Sequence, residues 1–229
     1  MLRTTADNKH DLVTQIVQQI KDKILEGSLK PGERIVEIKL AKELGISQTP
    51  IREAIRQLAG EGIVTIVLNR GAVIRSLSAQ DVFEIYSLRS SLEGLAIRLA
   101  VQNATMNDIK HLEAFYREME LKLEDDSIES LSEDSSYIHR YILKLSKHEL
   151  LEFTFQPVSF RITWVNRILG RSYSKRQEVE EHRELIEALQ KRDPDEAERI
   201  MRAHIHRSYR GFLAIGLIDE TELTRNEWI

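Results

Sequence analysis

Three of the seven histidines in this 229-residue chain stand where they could act together: His139 in SSYIHRYI, His182 in EVEEHREL and His204 in IMRAHIHRS. Neutral imidazoles carried on separate helices of a bundle can converge on zinc or a related divalent ion. Linear spacing alone leaves two readings open, ligands or ordinary core and surface histidines. Arg89 is the second group of interest. It falls in the row Val82, Ile85, Arg89, Leu92, Ala96, Leu99, the spacing of a buried helix face. A guanidinium there needs a carboxylate, either Glu93 one turn on, another acid of the chain, or a small organic acid gripped bidentately.

A third constellation lies in GISQTPIREAIRQLAGEGIVTI, residues 45–66. Arg52 and Arg56 fall four apart, opposite an apolar stripe of Ile51, Ile55, Leu58 and Ala59. A helix entering the DNA major groove presents its N-terminal residues to base edges. Here those are Ser47, Gln48, Thr49 and Arg52. Arginine pairs with guanine, glutamine with adenine, and serine or threonine with a base or a phosphate.

The elements that must position these groups follow from periodicity and punctuation. A helix reads from Asp11 through Leu12, Ile16, Ile20 and Ile24 to Gly27, after a polar and frayed first ten residues. SLKPGERI is a link, Glu37 to Leu44 a short helix stopped by Gly45. Ser47 or Thr49 caps the third helix, with Pro50 in its first turn, and that helix ends near Gly60–Gly62. Two β-branched runs, Ile63–Leu68 and Ala72–Ile74, flank Asn69-Arg70-Gly71 as a hairpin. Three helices followed by a two-stranded hairpin make a winged helix-turn-helix over residues 1–75. Arg70 at the hairpin tip, beside Gly71, is placed to enter a minor groove or grip phosphate.

Residues 76–229 read as an all-helical bundle, with helices at about 79–102, 106–125, 130–146, 149–168, 175–191 and 194–216. Ser78 and Asn107 are the expected caps, Pro157 should bend or split its helix, and Gly170 should end it. The last dozen residues read as a loose tail or a cap on a neighbour. The fold class is therefore mainly α, a winged helix-turn-helix followed by an antiparallel helical bundle.

Charge supports this division. Through Arg75 there are 12 Lys and Arg against 9 Asp and Glu, a net of +3; the remainder carries 21 against 28, a net of −7. A mildly basic head on an acidic body suits a polyanion partner for the head alone. No apolar run is long enough for a membrane span, no signal-type segment opens the chain, and cysteine is absent. A cytoplasmic protein without thiol chemistry is expected.

The string LKPGERI, LAKELGISQTPIREAIRQLAGEGIV and NRGAVI resembles the GntR family of bacterial transcription regulators, from about Val13 to Arg75. The resemblance implies DNA contacts at Ser47, Thr49, Arg52, Arg70 and Gly71. The family commonly has arginine where this chain has Gln48, which implies a shifted base preference. Residues 79 to about 215, and EHRELIEALQKRDPDEAERIMRAHI above all, resemble the six-helix FCD effector domain of the FadR branch. In many such domains three histidines and one aspartate hold a metal at the floor of the ligand cavity. The histidine positions fall on His139, His182 and His204, while the aspartate position falls on Ser135, which could hold a water instead. Asp134 lies five residues before His139, about 140° around a helix, and is the candidate fourth ligand.

Zinc is the expected ion by ligand type, with nickel or manganese as alternatives. The resemblance further implies a homodimer on a double-stranded operator and a small effector, often a carboxylate. Arg89 would bind that acid, with Tyr137, Trp164 and Asn166 as walls or orienting contacts. The competing reading pairs Arg89 with a structural acid. No HExxH, glycine-rich phosphate loop or nucleophile elbow occurs, so an enzyme is not expected. Two alternatives to the metal-bearing effector domain are a metal-free one sensing another ligand and a helical adaptor without specific DNA binding.

Overall fold

Helix ends and turns account for most of the architecture. The structure, a computed structural model, describes residues 3–125, 127, 131–169, 174–214 and 228. It divides into two units, Met1–Leu77 and Ser78–Ile229.

The first unit contains α1 (Arg3–Leu25), α2 (Glu37–Leu44), α3 (Gln48–Gly60), β1 (Val64–Val67) and β2 (Gly71–Ile74). Helix α1 already begins at Arg3, ahead of the expected Asp11. Its Ile16, Ile20 and Ile24 are buried, as are Leu40 of α2 and Ile51, Ile55 and Leu58 of α3. Gly45 closes α2 at φ 67°, a left-handed geometry that suits glycine and turns the chain within three residues into α3. Ser47 is the N-cap residue of α3, although its side chain makes no capping hydrogen bond. The hairpin pairs Val64 with Ile74 through Val67 with Gly71, and Asn69 and Gly71 take positive φ at its tip. A third extended segment, not expected from the sequence, lies along β2. Ile35 N donates to Ala72 O and Ile74 N to Glu33 O, both at 2.8 Å.

The second unit is built on α4 (Ala79–Asn103), which packs against α6 (Ser132–Leu145), α7 (Glu149–Leu169), α8 (Lys175–Lys191) and α9 (Pro194–Ala214). Helix α5 (Met106–Leu121) continues into one 3-10 turn, Lys122–Glu124, and packs on α8. Capping boxes start three of these helices: Ser78 with Asp81, Thr105 with Asp108, and Ser174 with Gln177. Thr105 therefore takes the cap expected at Asn107. Helix α7 is not split by Pro157 but runs on through it. His148 caps α7, accepting at Nδ1 from Leu151 N at 3.2 Å. Gly170 and the tail from Leu217, apart from Trp228, lie outside the described residues.

Two tryptophans mark different environments. Trp164 of α7 is buried, and its Nε1 has no hydrogen-bond partner. Trp228 lies edge-on to His206 and Phe83, at ring-centroid distances of 5.1 and 5.4 Å, and tilted against Tyr209 at 4.7 Å. Among the described residues no helix is long and apolar enough to cross a membrane.

Candidate metal centre and nucleic-acid interface

Four helices bring the buried polar groups of the second unit together. Arg89 and Glu93 come from α4, His139 from α6, His182 from α8 and His204 from α9, and all five are buried. Arg89 and Glu93 are one turn apart, and Arg89 Nε donates to Glu93 Oε1 at 2.7 Å. The histidine ring nitrogens divide into two sets. Every Nδ1 faces an acceptor: Glu93 Oε2 for His139, the Glu178 carbonyl at 2.5 Å for His182, and Glu181 Oε2 at 3.0 Å for His204. Neither a carbonyl nor a carboxylate donates, so this network assigns the proton to each Nδ1 and a lone pair to each Nε2.

Those lone pairs converge. His139 Nε2 is 3.1 Å from His204 Nε2 and 3.2 Å from His182 Nε2. Ligands about 2.0–2.1 Å from one tetrahedral ion stand roughly 3.3 Å apart, so three imidazoles in this arrangement fit such an ion. The Nδ1 partners are those that orient metal-bound histidines and raise their basicity. A bound ion here would act as a Lewis acid toward an anion.

Electrostatics keep His182 and His204 neutral. Burial lowers His182 well below its ordinary value, and His204 and His139 push it the same way. Burial likewise holds His204 down, to about 4, against the opposing bond from Glu181. Burial works to raise the Glu93 carboxyl, but Arg89 and then His139 outweigh it and bring it to about 2. Glu181 is shared between His204 and Arg207, whose Nε donates to it at 2.8 Å. It too lies below the usual carboxylate range, since these partners overcome its burial.

Other candidates fall elsewhere. Asp134 accepts from Lys122 Nζ at 2.5 Å and is not among the residues whose ligand atoms gather with the three histidines. Its position on α6 explains this, because five residues turn its side chain away from the His139 face. Ser135, one turn before His139, shares that face; its buried Oγ has no hydrogen-bond partner. Tyr137 joins His111, Phe115 and Tyr141 in an aromatic group, with its hydroxyl 2.7 Å from His111 Nε2. Asn166 Oδ1 accepts from Tyr86 OH at 2.9 Å, and Arg89 lies over the Tyr86 ring at 5.6 Å. Tyr86 was not singled out in the sequence, although its place one turn before Arg89 and Ser90 is a usable signal.

In the first unit Ser47, Thr49 and Arg52 are exposed and Gln48 is half-buried at the start of α3. Arg52 Nε donates to Glu37 Oε2 at 2.7 Å, and its Nη2 to Gln48 Oε1 at 3.3 Å. Glu37, at the start of α2, is the acid that sequence reasoning missed. Arg70 Nη2 donates to the Gly32 carbonyl at 3.3 Å, beside Gly71 at φ 81°.

Comparison with known proteins fits both units. Residues 12–74 match the bacterial regulatory proteins of the gntR family, and residues 84–207 match the FCD domain. The chain belongs to the GntR family. This GntR regulator is 37% identical over 198 residues to the Nta operon transcriptional regulator of Aminobacter aminovorans, covering 86% of this chain and 93% of that protein. It is 34% identical over 198 residues to the HTH-type transcriptional regulator YdhC of Bacillus subtilis, covering 84% and 87% of the two chains. The solved structure of E. coli McbR/YncC shares the fold at a TM-score of 0.72 and 22% identity, over 90% of this chain and 98% of that one. With an FCD domain it fits the FadR-like branch, and it is a DNA-binding transcription regulator modulated by a small ligand rather than an enzyme.

Proposed function

We propose that this GntR regulator binds its operator as a homodimer in the cytoplasm, and that a small organic acid held beside a divalent ion sets that affinity. The ion sits on His139, His182 and His204. Zinc suits three imidazoles best, with nickel and manganese as alternatives. Ser47, Gln48, Thr49 and Arg52 read bases or phosphates from α3, while Arg70 and Gly71 bring the wing to the backbone or minor groove. Twofold pairing matches two half-sites of a palindromic operator.

The observation that carries the metal reading is the orientation of the three rings. All three Nδ1 atoms are tied to acceptors and all three Nε2 atoms converge. The organic acid is supported by charge. Three neutral imidazoles leave a divalent ion uncompensated, Glu93 is matched by Arg89, and Glu181 by Arg207. Elemental analysis of untagged full-length protein, before any chelator, tests the reading. About one transition-metal ion per chain is expected, falling to a trace in His182→Ala. Protein that carries no metal and takes up none from added zinc refutes it. Sedimentation giving a monomer at micromolar concentration, with and without operator, refutes the dimer.

A further inference from the structure

The extended segment beside β2 brings a further arginine to the wing. Lys30 to Glu33 form a tight turn, closed by Glu33 N donating to Lys30 O at 2.9 Å, with Pro31 second and Gly32 third at φ 79°. Gly32 N donates to Ile74 O at 2.8 Å and ties the turn to β2. Side chains then alternate: Ile35 is buried, while Arg34 is exposed and stands opposite Val73. Gly71, two residues before Val73, shares that outer face. Arg34 borders the space that a side chain at Gly71 would take, its Nε 3.5 Å and its Nη2 3.7 Å from where a Cβ would stand. Arg70 reaches the opposite way, from the hairpin tip to the Gly32 carbonyl. Residues 32–34 and 70–71 thus make one corner of the wing with two guanidinium groups.

We propose that Arg34 is a DNA contact of the wing, donating to a backbone phosphate from the same corner as Arg70. This rests on the reading of the head above and adds a residue from outside the hairpin. Charge carries it. Lys21, Lys23 and Arg52 of the same unit are matched by Glu61, Glu43 and Glu37. Among the described residues Arg34 and Arg70 have no carboxylate partner, although both are exposed. The adjacent acid, Glu33, is turned back onto Lys30 N at 3.0 Å. Two unmatched guanidinium groups at one corner attract a polyanion, and their forked donors suit phosphate oxygens. The gap at Gly71 gives Arg34 a resting place, so less side-chain freedom is lost when phosphate arrives. Gly71 therefore admits a neighbouring side chain as well as supplying φ 81°.

The test measures fluorescence anisotropy of a labelled duplex of about 40 base pairs and arbitrary mixed sequence, titrated with full-length protein across a salt series; phosphate contacts act on any sequence. Arg34→Met keeps an unbranched stem opposite Val73 and removes the charge. It should weaken binding about tenfold per engaged head near 0.1 M salt, and lower the slope of log affinity against log salt by about one. Arg34→Lys should keep the wild-type slope, and circular dichroism establishes that each variant is folded. Arg34→Met with wild-type affinity and slope overturns the inference. So does a folded Arg34→Met that binds weakly with an undiminished slope, since Arg34 would then only shape the wing. Arg70→Ala, measured alongside, keeps the wing reading separate: its slope falls whether or not Arg34 touches DNA. Wild-type slopes in both Arg34→Met and Arg70→Ala overturn the wing reading with this inference, and wild type that binds no duplex at any salt overturns the reading of the head as well.

Discussion

The two units place arginine in opposite settings. Arg52 is 59% exposed, and its pair with Glu37 lies in water, where such bridges contribute about 1 kcal/mol or less. Arg89 is buried with Glu93, where each charge depends on the other. A surface arginine can be redirected to DNA at little cost to the fold. A buried one is part of the fold, so any ligand that recruits it acts on the packing of four helices. On the proposed function, the head separates recognition from stability, whereas the body combines them.

The comparison breaks first at Glu93. Glu93→Gln leaves Arg89 buried without its countercharge and should cost about 3–5 kcal/mol, lowering Tm by roughly 10 °C. Calorimetry showing an unchanged Tm would remove the premise that the pair holds the body together.

The next largest effect is acid sensitivity of the metal-stripped protein. Unfolded histidine titrates near 6.5, while burial keeps folded His204 neutral to about 4. As pH falls below about 6.5 the unfolded chain takes up a proton that the folded chain refuses, so stability drops until folded His204 is protonated too. His204 alone accounts for roughly 3 kcal/mol across that window, and His182 shifts in the same direction. Glu93 contributes stability that is lost lower down, as pH falls from its ordinary 4.5 toward about 2. Urea denaturation at stepped pH should show the first loss, and a flat profile between pH 6.5 and 4 would contradict it.

In the head, Arg52→Ala should lose about 1–3 kcal/mol of operator affinity and relax base preference, with stability held within about 0.5 kcal/mol. Fluorescence anisotropy on operator and scrambled DNA reads this out; equal losses on both would make Arg52 a phosphate contact. Arg70→Ala should act more weakly, reducing the slope of log affinity against log salt by about one. Smallest of all, Asp134→Asn should leave metal content unchanged, because its partner is Lys122. Loss of metal in that variant would restore Asp134 as a ligand.

Legibility in the sequence follows the same division. The head was readable because its motif is contiguous: the Gly45 turn, the α3 stripe and the Asn69-Arg70-Gly71 tip are all local features. In the body, the 3–4 row on α4 exposed Arg89, with Glu93 one turn on as one of three partners the pattern left open, and the structure pairs the two. The meeting of His139, His182 and His204 was not readable from spacing, because it depends on how α6, α8 and α9 pack around α4. The resemblance to the FCD domain supplied the grouping. Tyr137 illustrates the limit of reading along one helix, since two residues from His139 it faces His111 on α5. Pro157 illustrates another, because a helix packed on its neighbours continues past one missing backbone donor. At α5 the cap falls two residues before the expected Asn107, at Thr105, because Asp108 completes the reciprocal box there.

The two tryptophans give the molecule its own optical report. Trp164 is buried with its Nε1 unpartnered, so its emission starts from an apolar, blue-shifted baseline. Trp228 lies edge-on to His206, and a protonated imidazole at that separation quenches indole fluorescence. In Trp228→Phe the remaining signal comes from Trp164 alone, which reports on the packing around α7 without a label and without DNA.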